Sequence, residues 1–201
     1  MTRIIIVAVL YQLIFFTIEF FYRRFQLKSE STRRVTHLVS GLLALLLPLW
    51  LDRNQIVVLA VLILLSLVYS RKNKIIRSIH AVGRPSWGEF FYPLAVAAAA
   101  LMFLPSNQDF YHFAILVLAV SDPLANYFGT KYRSRGLVFD KTLAGSLVFF
   151  ISALIISLFF LNFTAGLTVA LVVTMTELLS PVGSDNLTIV LAIGVLSRLI
   201  K

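Results

Sequence analysis

The chain reads as long apolar runs broken by short polar stretches. Eight apolar segments stand out, at about residues 4–21, 35–51, 55–70, 90–104, 110–128, 143–161, 166–179 and 187–200. A helix that crosses a bilayer needs roughly 20 residues at about 1.5 Å each. The pattern therefore predicts an all-α polytopic membrane protein, a bundle of about seven to eight transmembrane helices with no soluble domain. The seventh and eighth segments are short enough to be tilted, partly re-entrant or shielded by their neighbours. Arg3 precedes the first segment and no small-residue cleavage site follows it, so it reads as a retained span. No repeat or Pro/Gly/Ser linker divides residues 1–201, which read as a single integral-membrane domain.

Composition supports this reading. Of 201 residues, 59% are hydrophobic and 13% charged. Soluble domains run near 45–50% apolar and about 25% charged. A mean hydropathy of +0.91 excludes an ordinary soluble enzyme, a disordered tail and a fibrous protein. The absence of cysteine excludes disulfides, thiolate metal sites and cysteine nucleophiles.

Charge adds an orientation. The net charge of +9 comes from 18 Lys and Arg against 9 Asp and Glu. In a soluble protein this balance would point to nucleic acid; here basic loops orient membrane helices, and no nucleic-acid partner is implied. The loops after the first, third and fifth segments hold 14 of the 18 bases. The positive-inside rule then puts both termini outside and those loops in the cytoplasm, for a multi-pass protein of the plasma membrane. Six of the nine acids share that cytoplasmic face. Both signs of charge gathered at one membrane surface suit an anionic ligand with a metal.

Four patches carry candidate chemistry. Asp122 sits in an apolar segment, where a carboxylate costs about 2.5–3.5 kcal/mol by insertion scales and is a functional candidate by default. Pro123 frees a carbonyl one turn earlier, Asn126 shares the face of Asp122, and Gly129 allows close backbone approach. The second patch is Lys141 with Thr142, an expected N-cap, and Gly145 and Ser146 in the first turn of the next helix. Free N–H groups there would attract phosphate. No Walker A pattern is present, and a capped helix with small packing residues is the simpler alternative. The third patch joins Glu177 to Asp185 and Asn186, oxygen ligands suited to Mg²⁺, although Asp185 or Asn186 could instead cap the last helix. In the fourth, Arg33, Arg34 and His37 share a helical face, with Ser29 or Ser31 as expected caps.

Together these patches resemble the CTP-dependent polyprenol kinase family, which includes dolichol, phytol and farnesol kinases and a CTP-dependent diacylglycerol kinase. The matching stretches are Arg33-Arg34-Val-Thr-His37, Ser121-Asp122-Pro123-Leu-Ala125-Asn-Tyr-Phe-Gly129, Lys141-Thr142-Leu-Ala-Gly145-Ser146, and Glu177 followed by Asp185-Asn186-Leu187-Thr188. Gly88-Glu89-Phe-Phe-Tyr92-Pro93-Leu94 is similar too. Ser121 departs from the family's usual glycine, and the connection around Ser180-Pro181 is short, as in the phytol and farnesol type.

The resemblance implies transfer of a nucleotide γ-phosphate, typically from CTP, to a lipid alcohol drawn from the membrane. On this reading Arg33, Arg34, Gly129, Thr142, Gly145 and Ser146 bind the nucleotide triphosphate. Asp122, Lys141 and His37 are catalytic. Asp122, Asp185, Asn126, Glu177 and Asn186 hold Mg²⁺. The rival readings are a CTP-dependent cytidylyltransferase that makes a CDP-lipid, a CTP-dependent diacylglycerol kinase, and a small transporter relaying ions through Asp122 and Glu177. No oligomeric state is implied.

Overall fold

In the computed structural model, residues 1–80 and 86–200 are described. Arg84 and Lys201, counted among the bases above, lie outside them. Each apolar run folds as a helix. These are α1 (Thr2–Phe25), α2 (Ser29–Trp50), α3 (Arg53–Lys72), α5 (Gly88–Phe103), α6 (Gln108–Lys131), α7 (Leu143–Leu158), α8 (Phe163–Leu179) and α9 (Asp185–Leu199). A one-turn helix, α4 (Arg77–His80), was not legible in the hydropathy pattern. Among the described residues there is no strand, only an isolated bridge between Gly136 and Thr142. By length and composition, α1, α3 and α6 suffice to cross a membrane; α5, α7 and α8 are shorter apolar helices. The protein is an all-α membrane protein.

Helix starts follow local chemistry. Thr142 caps α7 as expected, its hydroxyl accepting from Gly145 N. Asp52 and Gln55 form a reciprocal capping box on α3. Two expected caps are corrected. Ser29 is already inside α2, with Lys28 at the cap position. Ser184 stands at the cap of α9, and Asp185 Oδ1 accepts from the next residue, Asn186 N, at 3.0 Å.

α6 is the central helix. Tyr111, Phe113, Ala114, Ile115, Val117, Leu118 and Ala119 are fully buried, so its neighbours enclose it through this stretch, which holds no Asp, Glu, Lys or Arg and a single histidine, His112. α1, by contrast, turns Ile5, Val9, Leu13 and Phe20 outward, where lipid would cover them. Prolines set the polar contacts of the interior. Pro48 in α2 has no N–H for Ala44 O, and Tyr111 Oη donates to that carbonyl instead at 2.9 Å. Residues Val117–Ser121 form a π segment in which carbonyl i pairs with the N–H of i+5. For Leu118 that partner is Pro123, which has no N–H. The freed carbonyl is met by His37 Nε2 at 2.9 Å.

The helices run up and down, so one end of the bundle gathers the end of α1, the start of α2, the ends of α3 and α6, the starts of α5 and α7, and the α8–α9 connection. Every patch singled out from the sequence lies at this end. It is also held together there. Glu19 pairs with Arg23, four residues on, at 2.6 Å, and its second oxygen accepts from Ser78 N at 2.7 Å, fastening α4 to α1.

Candidate active site

A cleft opens at that end, enclosing about 1490 Å³ of empty space with its mouth included. All thirteen residues expected to act line it: Arg33, Arg34, His37, Asp122, Asn126, Gly129, Lys141, Thr142, Gly145, Ser146, Glu177, Asp185 and Asn186. They come from α2, α6, the α6–α7 loop, α7, α8 and α9. No single element could present them.

Lys141 is the centre of charge. The preceding loop folds back on itself, with Leu137 N donating to Lys141 O and Leu143 N to Arg135 O. Phe139 and Asp140 turn it with left-handed φ of 51° and 61°. Such backbone is costly for a bulky residue and is often retained at functional sites. Here the turn leaves Phe139 exposed and sends Lys141 inward. Its ammonium donates to Glu177 Oε1, and to Asp185 Oδ2 at 2.6 Å. Burial pushes the Lys141 pKa down, but the carboxylates of Asp185, Glu177 and Asp122 outweigh it and hold the group above its ordinary value.

His37 and Asp122 form the second centre. Because His37 Nε2 faces the freed Leu118 carbonyl, the proton of a neutral ring belongs on Nε2 and the lone pair on Nδ1. Nδ1 stands 3.7 Å from Asp122 Oδ2, beyond direct hydrogen-bond length. Tyr92 packs edge-on against the imidazole with ring centroids 4.3 Å apart.

The arginines are positioned by Asn126 and by three residues outside the candidate set, Ser86, Thr130 and Glu30. Arg33 donates to Ser86 Oγ at 2.8 Å. Arg34 donates to Asn126 Oδ1 at 2.6 Å and Thr130 Oγ1 at 2.9 Å, and pairs with Glu30. Thr130 lies four residues after Asn126, a helical spacing that could have been noticed. Ser86 sits in a loop and carried no signal.

Two expectations about the phosphate side change. The first N–H groups of α7 are not free: Leu143 N reaches Arg135 O, Ala144 N reaches Ser134 Oγ, and Gly145 N reaches Thr142 Oγ1. Any attraction for phosphate there rests on the helix dipole and Lys141. Gly129 and Gly145 serve first to let α6 and α7 touch. A Cβ on Gly145 would lie 3.0 Å from Ala125 O and 3.5 Å from Gly129 Cα.

The oxygen donors fit magnesium by their chemistry. Glu177 Oε2 and Asn186 Oδ1 are buried with no hydrogen-bond partner among the described residues, near the carboxylates of Asp185 and Asp122. Among the described residues, no three His, Asp or Glu side chains converge closely enough to hold a metal ion alone. A nucleotide-bound Mg²⁺ does not need that, since one or two carboxylates suffice with phosphates and water completing the shell. Asn126 fits least, because its carbonyl oxygen is given to Arg34.

An all-α membrane protein with a basic and acidic cleft at one end of its bundle is the class that fold and site define. The chain is 31% identical to a phytol kinase from Synechocystis sp. (strain PCC 6803), over 80% of this chain and 75% of that protein. It belongs to the polyprenol and phytol kinase family, a family of lipid-alcohol kinases. No protein-family profile and no solved structure matches it.

Proposed function

We propose that this chain transfers the γ-phosphate of a nucleoside triphosphate, CTP by preference, to an isoprenoid alcohol such as phytol, farnesol, geranylgeraniol or a polyprenol. The observation that carries the reading is the meeting of Arg33, Arg34 and Lys141 with Asp122, Glu177 and Asp185 in one cleft, beside a histidine whose lone pair is free. Family membership supports the kinase class. The preference for CTP rests on the motif resemblance.

Phosphoryl transfer is mostly a matter of positioning and charge neutralisation. Arg33 and Arg34 hold phosphate oxygens from the α2 side, and Lys141 and the α7 dipole from the other. Asp122, Asp185, Glu177 and Asn186 would hold Mg²⁺, which when bound neutralises charge on the phosphates. The alcohol's hydroxyl enters between His37 Nδ1 and Asp122. Its oxygen forms a bond to Pγ, the bond from Pγ to the β-bridging oxygen breaks, and the nucleoside diphosphate leaves. The hydroxyl proton passes to His37 Nδ1 or to Asp122. The cleft faces the cytoplasm on the charge distribution of the loops, so a water-soluble donor and a membrane-bound acceptor meet at the interface.

The test is purified protein in detergent with Mg²⁺, labelled CTP or ATP, and a panel of farnesol, geranylgeraniol, phytol, long polyprenol and diacylglycerol. The expected products are CDP and a lipid monophosphate from an isoprenoid alcohol. Pyrophosphate and a CDP-lipid would identify a cytidylyltransferase instead. No labelled lipid with any acceptor contradicts the kinase reading.

A further inference from the structure

A second cavity lies against the first. It encloses about 670 Å³ of empty space, mouth included. Its walls are one stripe of α2 (Arg33, Thr36, His37, Ser40 and Leu47) and one stripe of α3 from Ile56 to Leu67, with parts of α1 and α5. Arg33 and His37 line both this cavity and the charged cleft. The two spaces therefore share a neck at the histidine proposed to face the reacting hydroxyl.

The chamber is graded along α2. At the neck are Arg33, Thr36, His37 and the buried carboxylate of Glu89, then the hydroxyls of Ser40, Tyr11 and Tyr92, then apolar side chains down to Leu47 and Ile56. Ser40 Oγ and Tyr92 Oη are buried and find no hydrogen-bond partner among the described residues. From the neck to Leu47 is 10 residues measured from His37 and 14 measured from Arg33, or about 15–21 Å at 1.5 Å per residue. A trans Cα repeat of three bonds spans about 3.8 Å, so an extended chain advances roughly 1.25 Å per bond. The chamber thus takes about 12 to 16 chain atoms, the main-chain lengths of three- and four-isoprene alcohols.

We infer that this chamber holds the hydrocarbon tail of the acceptor inside the protein, with its hydroxyl at the neck, and that its closed end sets the acceptor's chain length. The occupant is one isoprenoid chain, argued from the shared neck, the polar-to-apolar grading and the depth. Leu47 and Ile56 form the floor, and Ala60, one turn above Ile56 on α3, is the smallest wall residue near it. The inference rests on the lipid-alcohol kinase reading above.

Binding without nucleotide separates the two. Detergent-purified protein is titrated with tritiated farnesol and with tritiated phytol. The wild type should bind both. Ala60→Phe should lower the phytol-to-farnesol affinity ratio at least tenfold by shortening the chamber. Leu47→Ala should raise the relative affinity for longer alcohols, and it carries the test if Ala60→Phe does not fold. Unaltered ratios in folded variants, no binding of either alcohol, or a phospholipid retained against excess phytol overturns the chamber. Phosphate transfer is then followed in the same preparations. Transfer with unaltered ratios leaves the kinase reading standing and removes the chamber; shifted ratios with no transfer do the reverse.

Discussion

At the residue scale, the site depends on charges that answer one another across helices. Asp122→Asn keeps shape but removes a carboxylate from the proposed reacting centre. It should lower the transfer rate at least about 10²-fold, the scale of single electrostatic contacts in active sites. Single-turnover kinetics on the detergent-purified variant checks this, and full activity would remove Asp122 from the mechanism. Lys141→Met strips two buried carboxylates of their cation, and breaking such a pair costs roughly 3–5 kcal/mol. The thermal midpoint should drop, and Glu177→Gln in the same chain should restore part of it. A group whose folded pKa is raised contributes its stability fully below its unfolded pKa, about 10.4 for lysine, and loses it only as pH rises through the raised value. Lys141 therefore stays charged at pH 9. An amine-reactive reagent should leave it unlabelled there while labelling the exposed Lys74, as mass spectrometry will read. The candidate residues were legible in the sequence because a carboxylate in an apolar run or an Arg pair before one is chemically conspicuous. Their partners were less so. Nothing local announces that Ser86 will meet Arg33 across 53 residues, or that Asn126 will spend its oxygen on Arg34.

At the element scale, hydropathy located the helices within a few residues but not their ends or their joins. The caps of α2 and α9 were misplaced because a serine or aspartate near a boundary marks a start only when its side-chain oxygen reaches a free N–H of the first turn, and the chain path decides that. α4 escaped because four residues carry no periodicity. The π segment in α6 was invisible, although Pro123, which leaves Leu118 O without a helical partner, was not. Close crossings give sharp contrasts. Gly145→Ala sets a methyl against the Ala125 carbonyl and should destabilise the α6–α7 pair by about 1–3 kcal/mol. Gly136→Ala meets nothing within 4 Å and should be near neutral. Tyr111→Phe orphans the Ala44 carbonyl that Pro48 freed, costing about 1–3 kcal/mol. Thermal unfolding in one detergent orders these three; an equal effect of both glycine changes contradicts the crossing.

At the scale of the whole molecule, the up-and-down course of the helices turns scattered patches into one cleft, and the proposal that this cleft faces the cytoplasm rests on the charge of the basic loops. The native chain has no cysteine, so single cysteines report topology cleanly. Arg133→Cys, at the cleft end, should react with an impermeant maleimide only after the membrane is opened, and Asp109→Cys, at the other end, in intact cells. The reverse pattern inverts the orientation. The most direct measurement of the central claim follows the label itself. With Mg²⁺ and phytol or farnesol, CTP labelled at the γ-phosphorus should pass its label to the lipid fraction, and CTP labelled at the α-phosphorus should not. Label arriving from the α position, or from neither, contradicts a lipid-alcohol kinase.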